Sequence, residues 1–390
     1  MPSQLDHLKT LEQRLLWLSA WTVHNANHLR DKRDDDVKVG GHQASCASMV
    51  SIMTALYFHT LRPEDRVAVK PHAAPVYHAM HYLMGNQTLE KLQNFRGYGG
   101  AQSYPSRTKD IDDVDFSTGS VGLGVAETAF ASIVQDYLEA KPWAADRPLG
   151  RMVALVGDAE LDEGNVYECL QEGWKHDLRN TWWIIDYNRQ SLDGVVHEGL
   201  WEKVEDIFKA FGWRTVVLRH GALQREAFAE PGGETLKSWI QSCPNADYSA
   251  LTYKGGAAWR ARLMNDIGDQ GDITALLDRR SDDELAALMN NLGGQCVQSL
   301  CDAFDSVTDD TPTVFLAYTI KGWGTPLAGH KDNHAGLMNK AQMADFQSKM
   351  GIAEGEEWTP MASVADSDAL NSFLREVPFF AAGPRRFSAP

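Results

Sequence analysis

A chain of 390 residues that is 43% hydrophobic can bury a large core without disulfide support. Its net charge of −16 argues against a nucleic-acid surface, which needs clustered Lys and Arg, and suits small anions handled at a local, backbone-rich site. The five cysteines (Cys46, Cys169, Cys243, Cys296, Cys301) are scattered without CxxC spacing, and no run reaches the ~20 apolar residues of a membrane span, so a reduced, cytoplasmic protein is expected.

Residues 5–30 carry charge within a helical period, which gives a covering helix rather than a signal peptide. Asp34–Asp36 leads into Gly40-Gly41-His42, a turn before a helix over SCASMVSIMTALYFHTL. Residues 87–116 are turn-rich, after which Gly119, Gly122 and Gly124 open an apolar helix through AETAFASIVQDYL. Two continuous apolar runs follow: MVALV (152–156), ended by Gly157-Asp158, and WWII (182–185), ended by Asp186-Tyr187-Asn188. Such runs suit parallel strands buried on both faces, and Trp182 and Trp183 read as core. Between them, Glu163 to His176 is long enough for one crossover helix. Further strands are expected at RTVVLR (214–219) and TVFLAYTI (313–320). The alternation implies an α/β fold: a doubly wound, mostly parallel sheet with helices on both faces. Residues 222–311 break the rhythm and read as an inserted helical segment, with a good helix at SDDELAALMNNL. The domain expected is 1–345, with 346–390 as a C-terminal extension. No internal repeat stands out.

Asp158 and Asn188 each fall just past the carboxyl end of a strand, with one crossover between them. If the strands are neighbours, ~5 Å apart, both side chains reach the crevice where open α/β sheets bind ligands. A carboxylate and an amide oxygen there can share one hard cation, and magnesium would complete its six oxygens with a backbone carbonyl, water and diphosphate.

GDAELDEGN (157–165) followed by DYNRQSLDG (186–194) resembles the diphosphate-binding motif of thiamine diphosphate enzymes, including the spacing. The resemblance makes Asp158 and Asn188 magnesium ligands, with the Gln190 carbonyl a third, and places Gly157, Ala159, Glu160 and Leu192 at the cofactor. Ala159 departs from the family's glycine, where a methyl group can crowd the diphosphate. GGHQAS (40–45), KPHAAPVYHAM (70–80), QSYPSR (102–107), STGSVGLGVA (117–126), FLAYTIKGWG (315–324) and HKDNHAGLMN (330–339) extend the similarity over residues 10–345. They fit best the N-terminal half of the homodimeric-type bacterial pyruvate dehydrogenase decarboxylating component. By resemblance, His42 and His72 line the pocket, Tyr104 and Leu123 lie against the cofactor, Glu163 faces a partner, and His334 sits on a mobile loop over the pocket. Ordinary alternatives remain for each: exposed loop histidines, a helix-terminal acid at Glu163, or metal clusters at His72/His78/His81 and His330/Asp332/His334.

The family activates its cofactor with a glutamate from a separate pyrimidine-binding domain. That domain is not found in this sequence, so the expectation is a split subunit completed by a second chain in an α2β2 heterotetramer, acting on a 2-oxo acid. The alternatives are transketolase-like ketol transfer between sugar phosphates and a non-catalytic scaffold, for which Ala159 is the hint. Transketolases share FSTGSVGLG, but RTKDIDDVD lacks the sugar-contacting histidine expected near residue 110. A nicotinamide enzyme is disfavoured, because no strand is followed by G-x-G-x-x-G with an acidic residue beyond it.

Overall fold

The structure is a computed structural model that describes residues 2–30, 38–142, 148–191, 194–195, 199–383 and 385, with only the backbone at residues 190, 191, 194 and 195. Leu192 and Asp34–Asp36 lie outside the described residues. The strands in chain order are β1 (Arg66–Ala68), β2 (Met152–Gly157), β3 (Thr181–Tyr187), β4 (Gln190–Ser191), β5 (Gly194–Val195), β6 (Arg214–Leu218) and β7 (Thr313–Tyr318). Five form one sheet in the order β1-β2-β3-β7-β6, and every pairing in it is parallel. β4 and β5 form a small antiparallel hairpin just after β3. The four strands expected from apolar runs are all present. β1 is additional, and at three residues it is too short to show a period. β3 also continues through Asp186 and Tyr187, which the sequence suggested as terminators, because Asp186 is fully buried among polar partners.

Side chains alternate across a strand, so consecutive apolar residues feed two separate cores. Val153, Leu155, Trp182, Ile184, Phe315 and Ala317 join one core with the helices Gln4–His24, Gln43–Ala55, Ala74–Leu83 and Val297–Asp305. Ala154, Val156, Trp183, Ile185, Val314 and Leu316 join the other with Leu123–Glu139, Gly164–Lys175 and Leu200–Ala210. Both faces are therefore covered, which is why these strands read as unbroken apolar runs. Trp182 and Trp183 are buried, one on each face.

Between β6 and β7 the chain builds helices from Ala222–Phe228 to Asp282–Asn290. The last is fixed by a capping box: Glu284 N donates to Ser281 Oγ at 3.2 Å, and Ser281 N donates to Glu284 Oε2 at 2.8 Å. Leu236, Tyr248, Trp259, Leu285 and Leu288 from this segment complete the second core. Residues beyond 345 pack back on the first core through Ile352, Leu370, Leu374 and Phe379, and Trp17 Nε1 donates to Glu357 O at 2.8 Å.

Candidate functional site

The β2–β3 register sets Gly157 opposite Asp186, so Asp158 and Asn188 emerge just beyond the ends of adjacent strands. They open on a cavity of about 330 Å³ that also takes in Lys70, His72, Tyr104, Val121, Glu160, Lys321 and His334. Arg189 N donates to Asp158 Oδ2 at 2.8 Å, which ties the carboxylate to the chain directly after Asn188. Ala159 N donates to Asp158 Oδ1 at 3.0 Å. Desolvation, with Asp186 close by, pushes the Asp158 carboxyl up to about 7, the condition a cation at this point would reverse.

Beneath the cavity floor lies Asp186, 0% exposed. Its Oδ2 accepts from Lys70 Nζ at 2.6 Å, Ser48 Oγ at 2.7 Å and Asn188 Nδ2 at 3.4 Å, and its Oδ1 accepts from Thr319 Oγ1. Burial opposes charge on both partners, but each holds the other ionised: the Lys70 pKa is raised and that of Asp186 lowered. The bond to Asp186 turns the Asn188 amide nitrogen toward the floor.

Glu160 braces one wall. Its Oε1 accepts from Gly157 N at 2.9 Å and its Oε2 from Gly122 N at 3.0 Å. Asn165 Nδ2, at the start of helix Gly164–Lys175, donates to Gly122 O at 2.8 Å, so the segment after β2 grips the start of helix Leu123–Glu139 by both backbone groups of one glycine. Both Glu160 oxygens are occupied by this work.

On the opposite wall three histidines from distant segments meet. The His42 and His72 rings stack with centroids 3.8 Å apart, and His334 lies edge-on at 5.3 Å from His42 and 5.7 Å from His72. Tyr104 follows at 6.0 Å from His72. Burial, then the positive charge of neighbours, depresses the His42 pKa to about 4 and that of His72 further, so both imidazoles are neutral near pH 7. Lys321 Nζ lies 3.1 Å from His334 Nδ1. An ammonium only donates, so Nδ1 accepts and the His334 proton resides on Nε2. His334 is held by its neighbours: Asn333 Nδ2 donates to Lys321 O at 3.0 Å and Leu327 O at 3.1 Å. Farther on, Met338 N donates to Gln43 Oε1 at 2.8 Å. The loop assigned to cover the pocket is thus anchored at both of these points. Gly41 sets the approach of His42, since at φ +137° a Cβ there would sit 2.5 Å from Val23 Cγ1.

Of the residues singled out from the sequence, Gly157, Asp158, Ala159, Glu160, Glu163, Asn188, His72, Tyr104 and His334 line this cavity, with Glu163 exposed at its edge. His42 stands beside it, stacked on His72. Leu123 does not reach it: Gly122, at φ +80°, turns the chain so that Leu123 is 45% exposed on the helix, and Val121 lines the cavity instead. Gln190 lies in β4, and its backbone alone is described. Lys70, Lys321 and the buried Asp186 were quoted within motifs but given no role. The cavity's polar groups include the Asp158 carboxylate, the Asn188 amide and the Lys70 and Lys321 side chains, with Glu160, Asp162 and Glu163 as further carboxylates. This set fits a divalent cation carrying a diphosphate.

His72 lines the cavity, whereas His78, which the sequence grouped with His72 and His81 as a possible metal cluster, has other partners. It pairs through Nδ1 with Asp112 Oδ2 at 2.7 Å, and its Nε2 lies 3.1 Å from Gln102 O. With Asp110 it is the group among the described residues close enough to hold a metal. Asp110 instead accepts from Gln102 N and Ser106 N at 3.0 and 2.8 Å, and both ring nitrogens of His78 are engaged; burial opposes charge on its ring, but the Asp112 carboxylate raises its pKa.

A family model described as "Transketolase, thiamine diphosphate binding domain" matches residues 31–229, slightly more than half of the chain. The pyruvate dehydrogenase E1 component of Escherichia coli is 28% identical over 355 residues, covering 88% of this chain and 39% of that protein. The protein of the same name from Cupriavidus necator is 28% identical over 345 residues, covering 85% and 37%. The chain therefore spans about two fifths of the length of these relatives. Among solved structures, a transketolase from Leishmania mexicana superposes with a TM-score of 0.64 at 16% identity, covering 99% of this chain and 46% of that one. A Campylobacter jejuni transketolase gives 0.61 at 18%, covering 98% and 47%. At those identities the likeness concerns the fold.

Proposed function

This chain belongs to the thiamine diphosphate-binding domain family of transketolase, and from that premise we propose that it is the diphosphate-binding subunit of a split thiamine diphosphate enzyme, decarboxylating a 2-oxo acid in the manner of pyruvate dehydrogenase. One observation carries this reading: Asp158 and Asn188, at the ends of neighbouring parallel strands, share one cavity with two lysines. Asp158, Asn188 and the Gln190 carbonyl would hold Mg2+, while Lys70 and Lys321 balance the anionic groups beside it. When bound, thiamine diphosphate supplies the electron sink that decarboxylation needs.

The chain's own residues orient and shield. Glu160 keeps the wall after β2 in place. The neutral pair His42 and His72, with His334 offering its Nε2 proton, presents donors toward a carbonyl or carboxylate oxygen of the substrate without a positive charge of their own. A second subunit would add the pyrimidine-binding domain and its glutamate across the exposed edge at Glu163, giving an α2β2 heterotetramer. The position of the exposed Glu163 at the cavity mouth supports a partner there. The transketolase-like reading keeps support from the family model and predicts a sugar phosphate, rather than a lipoyl group or external oxidant, as acceptor.

Two measurements decide. Calorimetry with the partner present should show that Asp158→Ala abolishes Mg2+-dependent thiamine diphosphate binding, and unchanged affinity would remove Asp158 from the metal shell. The isolated chain should turn over neither 2-oxo acids nor ketoses, and robust activity from it alone would end the split-subunit proposal.

A further inference from the structure

Nothing in the proposed cofactor chemistry uses a second cavity, of about 250 Å³, at the carboxyl ends of β3, β7 and β6. It lies on the other side of Asn188–Arg189, and a void of about 10 Å³ that touches Asn188, Arg189, Tyr248 and Lys321 separates it from the first. Arg189, Arg219, His220, Asn245, Tyr248 and Tyr318 contribute to its lining.

Arg189 is only 8% exposed, yet its Nε has no partner and its Nη1 reaches no nearer than 3.5 Å to Asn245 Oδ1. No carboxylate pairs with it among the described residues. Its guanidinium lies over the Tyr248 ring at 4.9 Å. That contact is weaker than the cost of burying an unpaired charge. A second guanidinium, Arg219, lies over Tyr318 at 5.4 Å and, among the described residues, donates to Gln241 O at 3.3 Å. His220 lines the cavity as a neutral imidazole. Gln224 donates its amide to Met289 O at 3.2 Å and Tyr248 Oη at 3.4 Å, so its Oε1 accepts from His220 Nδ1 at 2.8 Å. His220 Nε2 is then left buried without a partner. The carboxylate of the lining among the described residues, Glu202, belongs to an exposed residue. In a chain of net charge −16, two guanidinium groups in one small cavity, with no carboxylate in contact with Arg189 among the described residues, form a site built for an external counter-charge.

We propose that this cavity binds a small dianion of the phosphomonoester class. The planar forks of Arg189 and Arg219 match phosphate oxygens two at a time, and a doubly charged headgroup equals the charge of the two guanidinium groups. The tyrosine rings, Ile240 and Leu292 leave room for a short uncharged tail. The site stands apart from the thiamine diphosphate reading, because none of its groups holds the cation there.

The test is calorimetry on the full chain in magnesium-free buffer, with glycerol 3-phosphate, inorganic phosphate and succinate as probes. Glycerol 3-phosphate should bind with a Kd below about 1 mM, tighter than succinate, and Arg189→Gln and Arg219→Gln should each weaken it at least tenfold. Lys321→Met, in the first cavity, should leave that affinity within twofold. If Arg189→Gln fails to fold, Arg219→Gln, at a partly exposed position, decides alone. Absence of binding, tighter binding of succinate, or affinity that follows Lys321 rather than the arginines would each overturn the proposal.

Discussion

In the first cavity the Lys70 ammonium sits 2.6 Å from the Asp186 carboxylate, whereas in the second the Arg189 guanidinium has no acid in contact among the described residues. The two share the Asn188–Arg189 backbone and the same edge of the sheet. The difference lies in where the counter-charge comes from. Asp186 is supplied by β3 itself, so the first cavity meets a ligand with its buried lysine already fixed in place. The second leaves its cation uncompensated, and its occupant has to bring the balance. A preorganised site gives geometry, and an unbalanced one gives affinity for charge.

Removing the internal counter-charge should have the largest effect. Lys70→Met leaves Asp186 buried with two hydroxyls and an amide but no cation. Losing one partner of a buried pair costs about 3–5 kcal/mol, read as a lower denaturant midpoint at unchanged slope. A loss under about 1 kcal/mol would mean that the lysine and Asp186 are not paired in solution.

Glu12 shows what a buried carboxylate does without such a cation. On helix Gln4–His24 it is 6% exposed and accepts from Ser51 Oγ. Burial raises its pKa from 4.5 to about 7, with the Ser51 bond opposing. The folded state thus binds this proton more tightly than the unfolded chain does. Its contribution to stability is fully present below pH 4.5 and is lost as pH rises through about 7, roughly 3 kcal/mol in all. Thermal unfolding should therefore occur at lower temperature at pH 8 than at pH 6. Glu12→Gln should reduce that difference, and an equal pH dependence in the variant would show that Glu12 is not its source.

Much of this arrangement was legible beforehand. Buried parallel strands announce themselves as apolar runs because both faces are covered, and Asp158 and Asn188 follow from where two such runs stop. β1 escaped because three residues carry no period, and Lys70 escaped with it. Asp186 was mistaken for a strand end, since an acid after WWII ordinarily marks exit to solvent. Here four donors from separate segments satisfy it within the sheet. Spacing along the chain also could not bring His42, His72 and His334 together, because segments far apart in sequence meet only through the tertiary fold. The resemblance supplied that grouping. Arg189 shows no pattern at all in the sequence, and only burial without a carboxylate partner among the described residues makes it stand out.

The smallest effect expected is at Gly122, where the comparison turns from charge to rigidity. Its φ of +80° is a left-handed conformation that costs an L-residue about 1 kcal/mol. A Cβ there would lie 2.8 Å from Asn165 Oδ1 and 3.0 Å from Glu163 Cβ. Asn165 would have to move and weaken its bond to Gly122 O, and Glu160 would lose its alignment on Gly122 N. Gly122→Ala should thus cost about 1–3 kcal/mol in all. More tellingly, it should weaken Mg2+-dependent thiamine diphosphate binding through a displaced wall, while the oxyanion affinity of the second cavity stays unchanged. If both affinities fell together, the two cavities would be one mechanical unit, and the contrast between a preorganised site and an unbalanced one would not hold.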